Sequence, residues 1–399
     1  MIAVTGGGTG GHVFPNVAVV EELRRRGESR LIWIGDRRGP EREAARRLEV
    51  PFYGIRTGKL RRYLSLRNFR DLFSVAAGFF GSLRVLASTR PRVLFSKGGF
   101  VSVPPALAAW VLRIPVVTHE SDILPGLATR MISRVAATVC VSFPGTVAFF
   151  PAGRAVLTGN PVRGLIREGD AGRGRRFLGV DTRGVSPRGA DPIGSGWHRV
   201  GPRAPLVLVL GGSQGAASLN RAVRALAGIG GLSFVLVHQC GRGNLRAGPG
   251  GGEAVPREAA ATREAAVPRV GGRGGYLPYE FFGEEMGDVL AAADLVVSRA
   301  GAGALSEIAC AGKPSVLVPL PRSGSRGEQI TNARFFADSG AAVLLPDEQL
   351  SARALEQVIR ELLSDRAALE EMGWRARSLY VDRAEAAIVD LLLEKRRPG

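Results

Sequence analysis

The chain has 399 residues, 45% of them hydrophobic and 23% charged, an ordinary globular composition long enough for two domains. Its 54 Lys+Arg against 36 Asp+Glu leave a formal charge of +18, which favours anionic partners: phosphorylated small molecules, nucleic acid or an anionic membrane face. Three scattered cysteines exclude a disulfide framework, the first residues lack the regions of a signal peptide, and no apolar run reaches the ~18 residues of a membrane span.

Ile2-Ala3-Val4 reads as the first strand of a buried parallel sheet. The glycine run from Gly6 to Gly11 follows, and a helical pattern begins near Asn16. Strand, glycine loop and helix bring backbone N–H groups and the positive end of a helix up to an anion. Into that loop the chain places His12, a proton acceptor beside a phosphate cradle. Residues 30–35 read as a second strand with Asp36 beyond it. Gly6-x-Gly8-x-x-Gly11 also fits the dinucleotide fingerprint, with Asp36 near the place of its ribose-binding acid, although His12 is foreign to that pattern.

Between Leu60 and Arg90, large apolar residues from Leu64 to Leu86 alternate with arginines. Two readings fit: a helix lying on an anionic lipid surface, or a core helix with a solvated basic edge. Strands at 92–96 and 114–118 are each followed by polar residues, Lys97-Gly98-Gly99-Phe100 and His119-Glu120-Ser121-Asp122. Open α/β sheets bind ligands just past the carboxyl ends of such strands. Further strands at 137–142 and 155–157 lead to Gly159-Asn160-Pro161-Val162-Arg163, and Gly/Arg/Pro-rich residues 169–204 read as a flexible insertion with a short helix near Phe177.

The opening pattern then returns. A strand at 205–210, the loop Gly211-Gly212-Ser213-Gln214-Gly215 and a helix carrying Asn220 imply a second Rossmann-like domain. A second insertion is expected at 243–274. Later loops follow strands at 295–298 and 315–319 and carry Arg299, Ala302, Glu307, Glu328, Gln329 and Asn332, and helices close the chain. The expected architecture is α/β, two Rossmann-like domains facing a cleft, 1–162 and 163–399, with the last helices packing back on the first.

The second set suits a nucleoside diphosphate sugar. Ser213 and its neighbouring N–H groups suit a phosphate oxygen, Glu307 both ribose hydroxyls, Arg299 the phosphate charge, and Glu328, Gln329 and Asn332 the sugar. Each also has a plain structural reading, as a helix cap, a dipole-stabilised acid or a surface residue. No Asp-x-Asp and no His/Cys/carboxylate cluster with metal spacing occurs, so Arg and helix N-termini would stabilise a departing diphosphate. His12 is then the candidate general base, or else a structural or phosphate-contacting histidine, and Glu120 and Asp122 would bond the sugar or orient the base.

The ordered set formed by these stretches, with Pro125-Gly126-Leu127-Ala128 and Arg326-Gly327-Glu328-Gln329-Ile330-Thr331-Asn332, resembles the MurG family. These bacterial transferases add N-acetylglucosamine to the lipid-linked muramyl-pentapeptide precursor of peptidoglycan. The resemblance implies a GT-B type, inverting enzyme with no cofactor and no essential metal. UDP-N-acetylglucosamine would bind mainly the second domain, and the undecaprenyl-diphosphate-linked acceptor the first. By position, the backbone around Leu277 would hold uracil, Glu307 the ribose and Ser213 with Gln214 a phosphate. Gln329, Glu328, Asp122 and the loop at Ala302 would meet the sugar; His12 would stand at the reaction centre with Thr9, Gly10, Gly11 and Arg163 among the substrate contacts. Some members carry Gln-Asn in place of Ser121-Asp122 and Gln in place of Glu328.

The resemblance also implies a peripheral place on the cytoplasmic face of the membrane through the Leu64–Leu86 region, partners in wall synthesis, and no nucleic acid. The rivals are a UDP-N-acetylglucosamine epimerase of the same architecture, a dinucleotide oxidoreductase, and a basic membrane- or nucleic-acid-binding module without catalysis.

Overall fold

The computed structural model describes residues 1–8, 10–58, 66–180 (backbone only at 66–72), 204–212, 214–245, 275–322 and 327–395. Contacts divide the chain into two compact units, the first comprising Met1–Arg163 with the segment from Val381, the second Gly164–Tyr380.

The first unit alternates strand and helix: β1 (Ile2–Thr5), α1 (Gly10–Arg25), β2 (Leu31–Asp36), α2 (Glu41–Arg47), β3 (Phe52–Ile55), α3 (Leu66–Thr89), β4 (Val93–Ser96), α4 (Val103–Val111), β5 (Val116–Glu120), α5 (Leu127–Ile132), β6 (Thr138–Val141) and β7 (Ala155–Leu157). The strands pair in parallel in the order β3-β2-β1-β4-β5-β6-β7. β1, β4, β5 and β6 are buried throughout, because helices cover both faces of a parallel sheet. The chain winds outward from β1 to β3, then crosses back to β4. This reversal opens the crevice at the carboxyl ends of β1 and β4.

The second unit contains α6 (Gly164–Arg167), α7 (Ala171–Phe177), β8 (Leu206–Leu210), α8 (Ala217–Ile229), β9 (Val235–Gln239), β10 (Tyr276–Tyr279), α9 (Met286–Ala292), β11 (Leu295–Ser298), α10 (Ala302–Cys310), β12 (Ser315–Leu317), α11 (Glu328–Asp338), β13 (Ala342–Leu344), α12 (Ala352–Ser364) and α13 (Arg366–Ser378). Its parallel sheet runs β10-β9-β8-β11-β12-β13, with the reversal between β8 and β11. The last helix, α14 (Ala384–Glu394), belongs to the first unit. There Ile388, Val389 and Leu392 join the core under α1, and Arg26, just past α1, bonds Asp390 and the Ala386 carbonyl.

Three expectations change. Helix α1 begins at Gly10 rather than near Asn16, so His12 stands in its first turn. The glycines hid that start, since they carry no side-chain period. Residues 169–180 are folded, and the short helix expected near Phe177 is α7, packed rather than set in a loose insertion. Asp170 caps α7 by accepting from Arg173 N at 2.6 Å, and Arg173 pairs with Asp288 at 2.8 Å. Gly169, Gly174 and Gly287 are glycines because a Cβ at each would collide with backbone carbonyls where α6, α7 and α9 approach. The rest of that stretch, 181–203, and 246–274 of the second lie outside the described residues.

Helix α3 matches neither of its two readings alone. Gly78, Ser82 and Leu86 form a buried stripe, Phe79 and Leu83 are half-buried, and the opposite face exposes Phe73, Phe80 and Arg84. The outer face is thus aromatic as well as basic. The side chains of Leu64, Leu66, Phe69 and Leu72 lie outside the description.

Candidate active site

In the first unit the glycine loop is held from beneath. Gly6 has φ 142°, and a Cβ there would lie 2.8 Å from both Asn16 Nδ2 and Lys97 Cβ, so only glycine fits. Its carbonyl accepts from Trp33 Nε1 at 3.3 Å. Glu41, fully buried in the first turn of α2, accepts from Gly8 N at 3.0 Å and from Asp36 N at 2.8 Å. This carboxylate fixes both the loop and the end of β2. Sequence reading missed it, because a first-turn glutamate looks the same whether solvated or buried.

The loop presents Gly10 and Gly11 in the first turn of α1, then His12. The imidazole lies against Gly99, where an added Cβ would sit 3.3 Å from His12 Nε2. Gly99 itself has φ 77°, so a side chain there would be strained and would displace the ring. Burial, then the charge of Lys97, lowers the His12 pKa to about 4. The ring is therefore neutral at physiological pH and able to accept a proton.

Past the end of β5, Glu120 is buried, with Oε1 accepting from Asp122 N at 3.0 Å and Oε2 from Gly126 N at 2.9 Å. Both its oxygens shape the 121–126 loop. Glu120 thus organises the loop that carries Asp122. Asp122 is half-buried on that loop. His119 is buried, and its Nε2 bonds the Gly159 carbonyl at 2.8 Å, a structural role. Arg163 stacks its guanidinium 4.5 Å from the centre of the Phe14 ring on α1. Thr9 lies outside the described residues. Lys97 was passed over because a lysine is rarely buried.

Asp36 accepts from Arg38 N at 2.8 Å and from the Thr57 hydroxyl. Its carboxylate closes the turn after β2 instead of facing a ribose, which removes the support for a dinucleotide site.

In the second unit, Gly215 and Gly241 meet backbone to backbone beyond β8 and β9. Asn244 Nδ2 donates to the Gln214 carbonyl at 2.9 Å and steadies this loop; Ser213 lies outside the described residues. Beneath it runs a buried polar chain. Asn220 Nδ2 donates to the Cys240 carbonyl at 2.8 Å, so its Oδ1 must accept from His238 Nε2, 3.0 Å away. His238 Nδ1 then accepts from the Tyr276 hydroxyl at 2.9 Å. Burial lowers the His238 pKa to about 3, consistent with this neutral tautomer. Asn220 is therefore a brace for the loop and not a surface residue.

Three of the expected site residues are engaged within the fold. Leu277 lies inside β10, paired with Val237. Gly275 O and Tyr279 O accept from Leu236 N and Cys240 N, so Leu277, in phase with them, turns its backbone toward β9. Its own N–H and carbonyl are taken up by β9, while on either side of it Tyr276 and the Pro278 carbonyl face the outer edge of the described sheet. Arg299 is buried and ion-paired with Asp347 at 2.7 Å, and also donates to Ser218 Oγ and to the Val318 and Pro319 carbonyls. It holds these loops together. Asn332 is buried, with Nδ2 donating to the Ala300 carbonyl at 3.2 Å, and so supports the loop before α10 from within.

The other expected residues gather at the same sheet end. Ala302 opens α10 behind Gly301, which offers no side-chain cap, leaving N–H groups for an anion. Glu307, half-buried, is in the second turn of α10, beyond the first turn that a dipole-stabilised acid prefers. Glu328 opens α11 after left-handed Gly327, and Gln329 Oε1 accepts from Leu320 N at 3.1 Å. Among the described residues no three His, Cys, Asp or Glu side chains converge as a metal site.

Residues 2–141 match the glycosyltransferase family 28 N-terminal domain and 206–387 its C-terminal domain. The UDP-N-acetylglucosamine–N-acetylmuramyl-(pentapeptide) pyrophosphoryl-undecaprenol N-acetylglucosamine transferase of Treponema pallidum is 41% identical over 395 residues, 98% of this chain and 94% of that one. The chain belongs to the MurG family. MurG of Acinetobacter baumannii superposes with a TM-score of 0.68 at 28% identity, covering 98% of this chain and 99% of its own. A UDP-GlcNAc 2-epimerase from Neisseria meningitidis superposes at 0.61 with 13% identity, a likeness of fold alone. The family is one of inverting N-acetylglucosaminyltransferases of the GT-B type, built on two Rossmann-like units such as these. The epimerase, oxidoreductase and non-catalytic readings give way to it.

Proposed function

We propose that this chain moves N-acetylglucosamine from UDP-N-acetylglucosamine to the 4-hydroxyl of the muramyl sugar of undecaprenyl-diphosphate-linked muramyl-pentapeptide. The observation that carries this is the neutral imidazole of His12 in the first turn of α1, at the switch point of the first sheet. The hydroxyl oxygen attacks the anomeric carbon as its proton passes to His12. The bond from that carbon to the UDP oxygen breaks with inversion, and the imidazolium later returns the proton to solvent. The acceptor's diphosphate, held at Thr9, Gly10 and Gly11, brings negative charge to the ring and raises its basicity in the complex.

The first unit would thus take the acceptor, with Arg163 among its contacts, and the second most of the donor, whose sugar Asp122 also meets. On the donor, Glu307 takes the ribose, Ser213 and Gln214 a phosphate, and Glu328, Gln329 and the loop at Ala302 the sugar. Helix N-termini stabilise the departing diphosphate. UDP release measured with a chelator present, with and without acceptor, tests the reading. Release that needs the acceptor and survives chelation supports it; consumption of donor without acceptor would sink it.

No helix of the described residues is long and apolar enough to cross a membrane. The aromatic face of α3 suits a peripheral contact on the cytoplasmic side. Phe73 is 75% and Phe80 66% exposed, and Trp110 of α4, the helix packed against α3, is 58% exposed. Exposed aromatics flanked by arginine fit an anionic lipid interface. The double substitution Phe80→Glu with Trp110→Glu is expected to lower co-sedimentation with phosphatidylglycerol vesicles by roughly tenfold or more. It should leave turnover on a detergent-solubilised acceptor intact; unchanged sedimentation would remove this surface from the account. Partners in the wall-synthesis machinery would approach the chain on that same membrane.

A further inference from the structure

We propose that Lys97 is a further positioning residue of this reaction, the buried cation that ties the ends of β4, β5 and β7 together and fixes the Ser121–Asp122 loop beside His12. The inference rests on the reading of the first unit as the acceptor half.

Lys97 follows β4 and is 1% exposed. Its backbone N–H bonds the Thr5 carbonyl at 2.9 Å, and its Cβ passes under Gly6, the position where no side chain fits. From there the ammonium donates to Ser121 Oγ, and that hydroxyl donates to Asn160 Oδ1 at 3.3 Å. One directional chain therefore links three strand ends. A buried lysine ordinarily pairs with a carboxylate, yet both oxygens of Glu120 are held by backbone N–H groups.

The charge faces His12 of α1, His119, Glu120 and Asp122 of β5 and its loop, and Cys140 of β6. It offsets the two acids where an anionic substrate must bind, and it disfavours a second positive charge on His12. Burial lowers the Lys97 pKa to about 8, so the cation is lost just above physiological pH. Because this value lies below that of an unfolded lysine, the same deprotonation adds stability as pH rises from about 8. Alkaline loss of activity from this group is therefore not unfolding.

The test is kcat/KM for the acceptor, followed by UDP release from about pH 5 to about pH 10 in the full chain. The proteins are wild type, Lys97→Met, Lys97→Arg and Ser121→Ala. Wild type should decline above about pH 8. Lys97→Met should be roughly tenfold or more slower near neutrality, lose the alkaline decline and shift its acid limb upward, because the charge opposing His12 protonation is gone. Lys97→Arg should regain part of the rate and hold it to the alkaline end, and Ser121→Ala should move the alkaline decline to lower pH. Lys97→Met with the wild-type rate, or with a reduced rate but unmoved limbs, would overturn the proposal. If Lys97→Met does not fold, Ser121→Ala with a wild-type profile would do so. Absence of acceptor-dependent release in wild type would instead overturn the reading on which it rests.

Discussion

His12→Ala is expected to lower kcat by roughly 10²–10⁴-fold, the usual contribution of a positioned general base. The fold should survive, because the ring is half-buried and packs on Gly99 at the surface of the crevice. The KM for UDP-N-acetylglucosamine should hold if the first unit, to which His12 belongs, takes the acceptor as proposed. The depressed pKa of the ring sharpens the expectation. An imidazole that titrates near 4 stays unprotonated through the neutral range, so the variant removes a group that is ready to accept a proton in every free enzyme molecule. Steady-state kinetics with a thermal melt alongside check it. Near-normal turnover would take His12 out of the chemistry.

Arg299→Leu should act through stability. It strips a buried guanidinium from Asp347, whose side chain is only 17% exposed, and leaves that carboxylate without its counter-charge. Breaking one partner of such a pair costs about 3 kcal/mol or more. That corresponds to a fall in Tm of roughly 6–12 °C for a unit of this size. The companion variant Arg299→Leu with Asp347→Leu should recover much of the loss, because no charge is then stranded. A phosphate-binding arginine would give the opposite pattern, a raised KM for the donor with an unchanged melt and no rescue. Calorimetry on the two variants and donor kinetics separate the outcomes.

Much of the architecture was legible because strands of a covered parallel sheet are short runs of apolar residues. β1, β4, β8 and β11 carry no polar side chain except at their last residues, and each is followed at once by glycine or polar loops. The loop residues could be placed because they follow these strands directly. What stayed hidden depends on partners distant in sequence or on phase within an element. Asp347 lies 48 positions from Arg299, and nothing local marks the pair. Leu277 points its backbone inward because of its place in the β10–β9 ladder, and Pro278 fits beside it since the sheet edge needs no N–H there. Glu41 and Lys97 are charged residues below the glycine loop, and charge in a sequence carries no sign of burial. Residues 169–180 misled through composition, as glycines that allow close helix contact look like those of a linker.

The central claim is transfer of one sugar with inversion to a defined hydroxyl. NMR of the lipid-linked product formed from the α-linked donor and the muramyl acceptor tests it most directly. The account predicts a β-linked N-acetylglucosamine on the muramyl 4-oxygen, formed in step with UDP. An α linkage, another position, or donor converted to free sugar or to its epimer would contradict it.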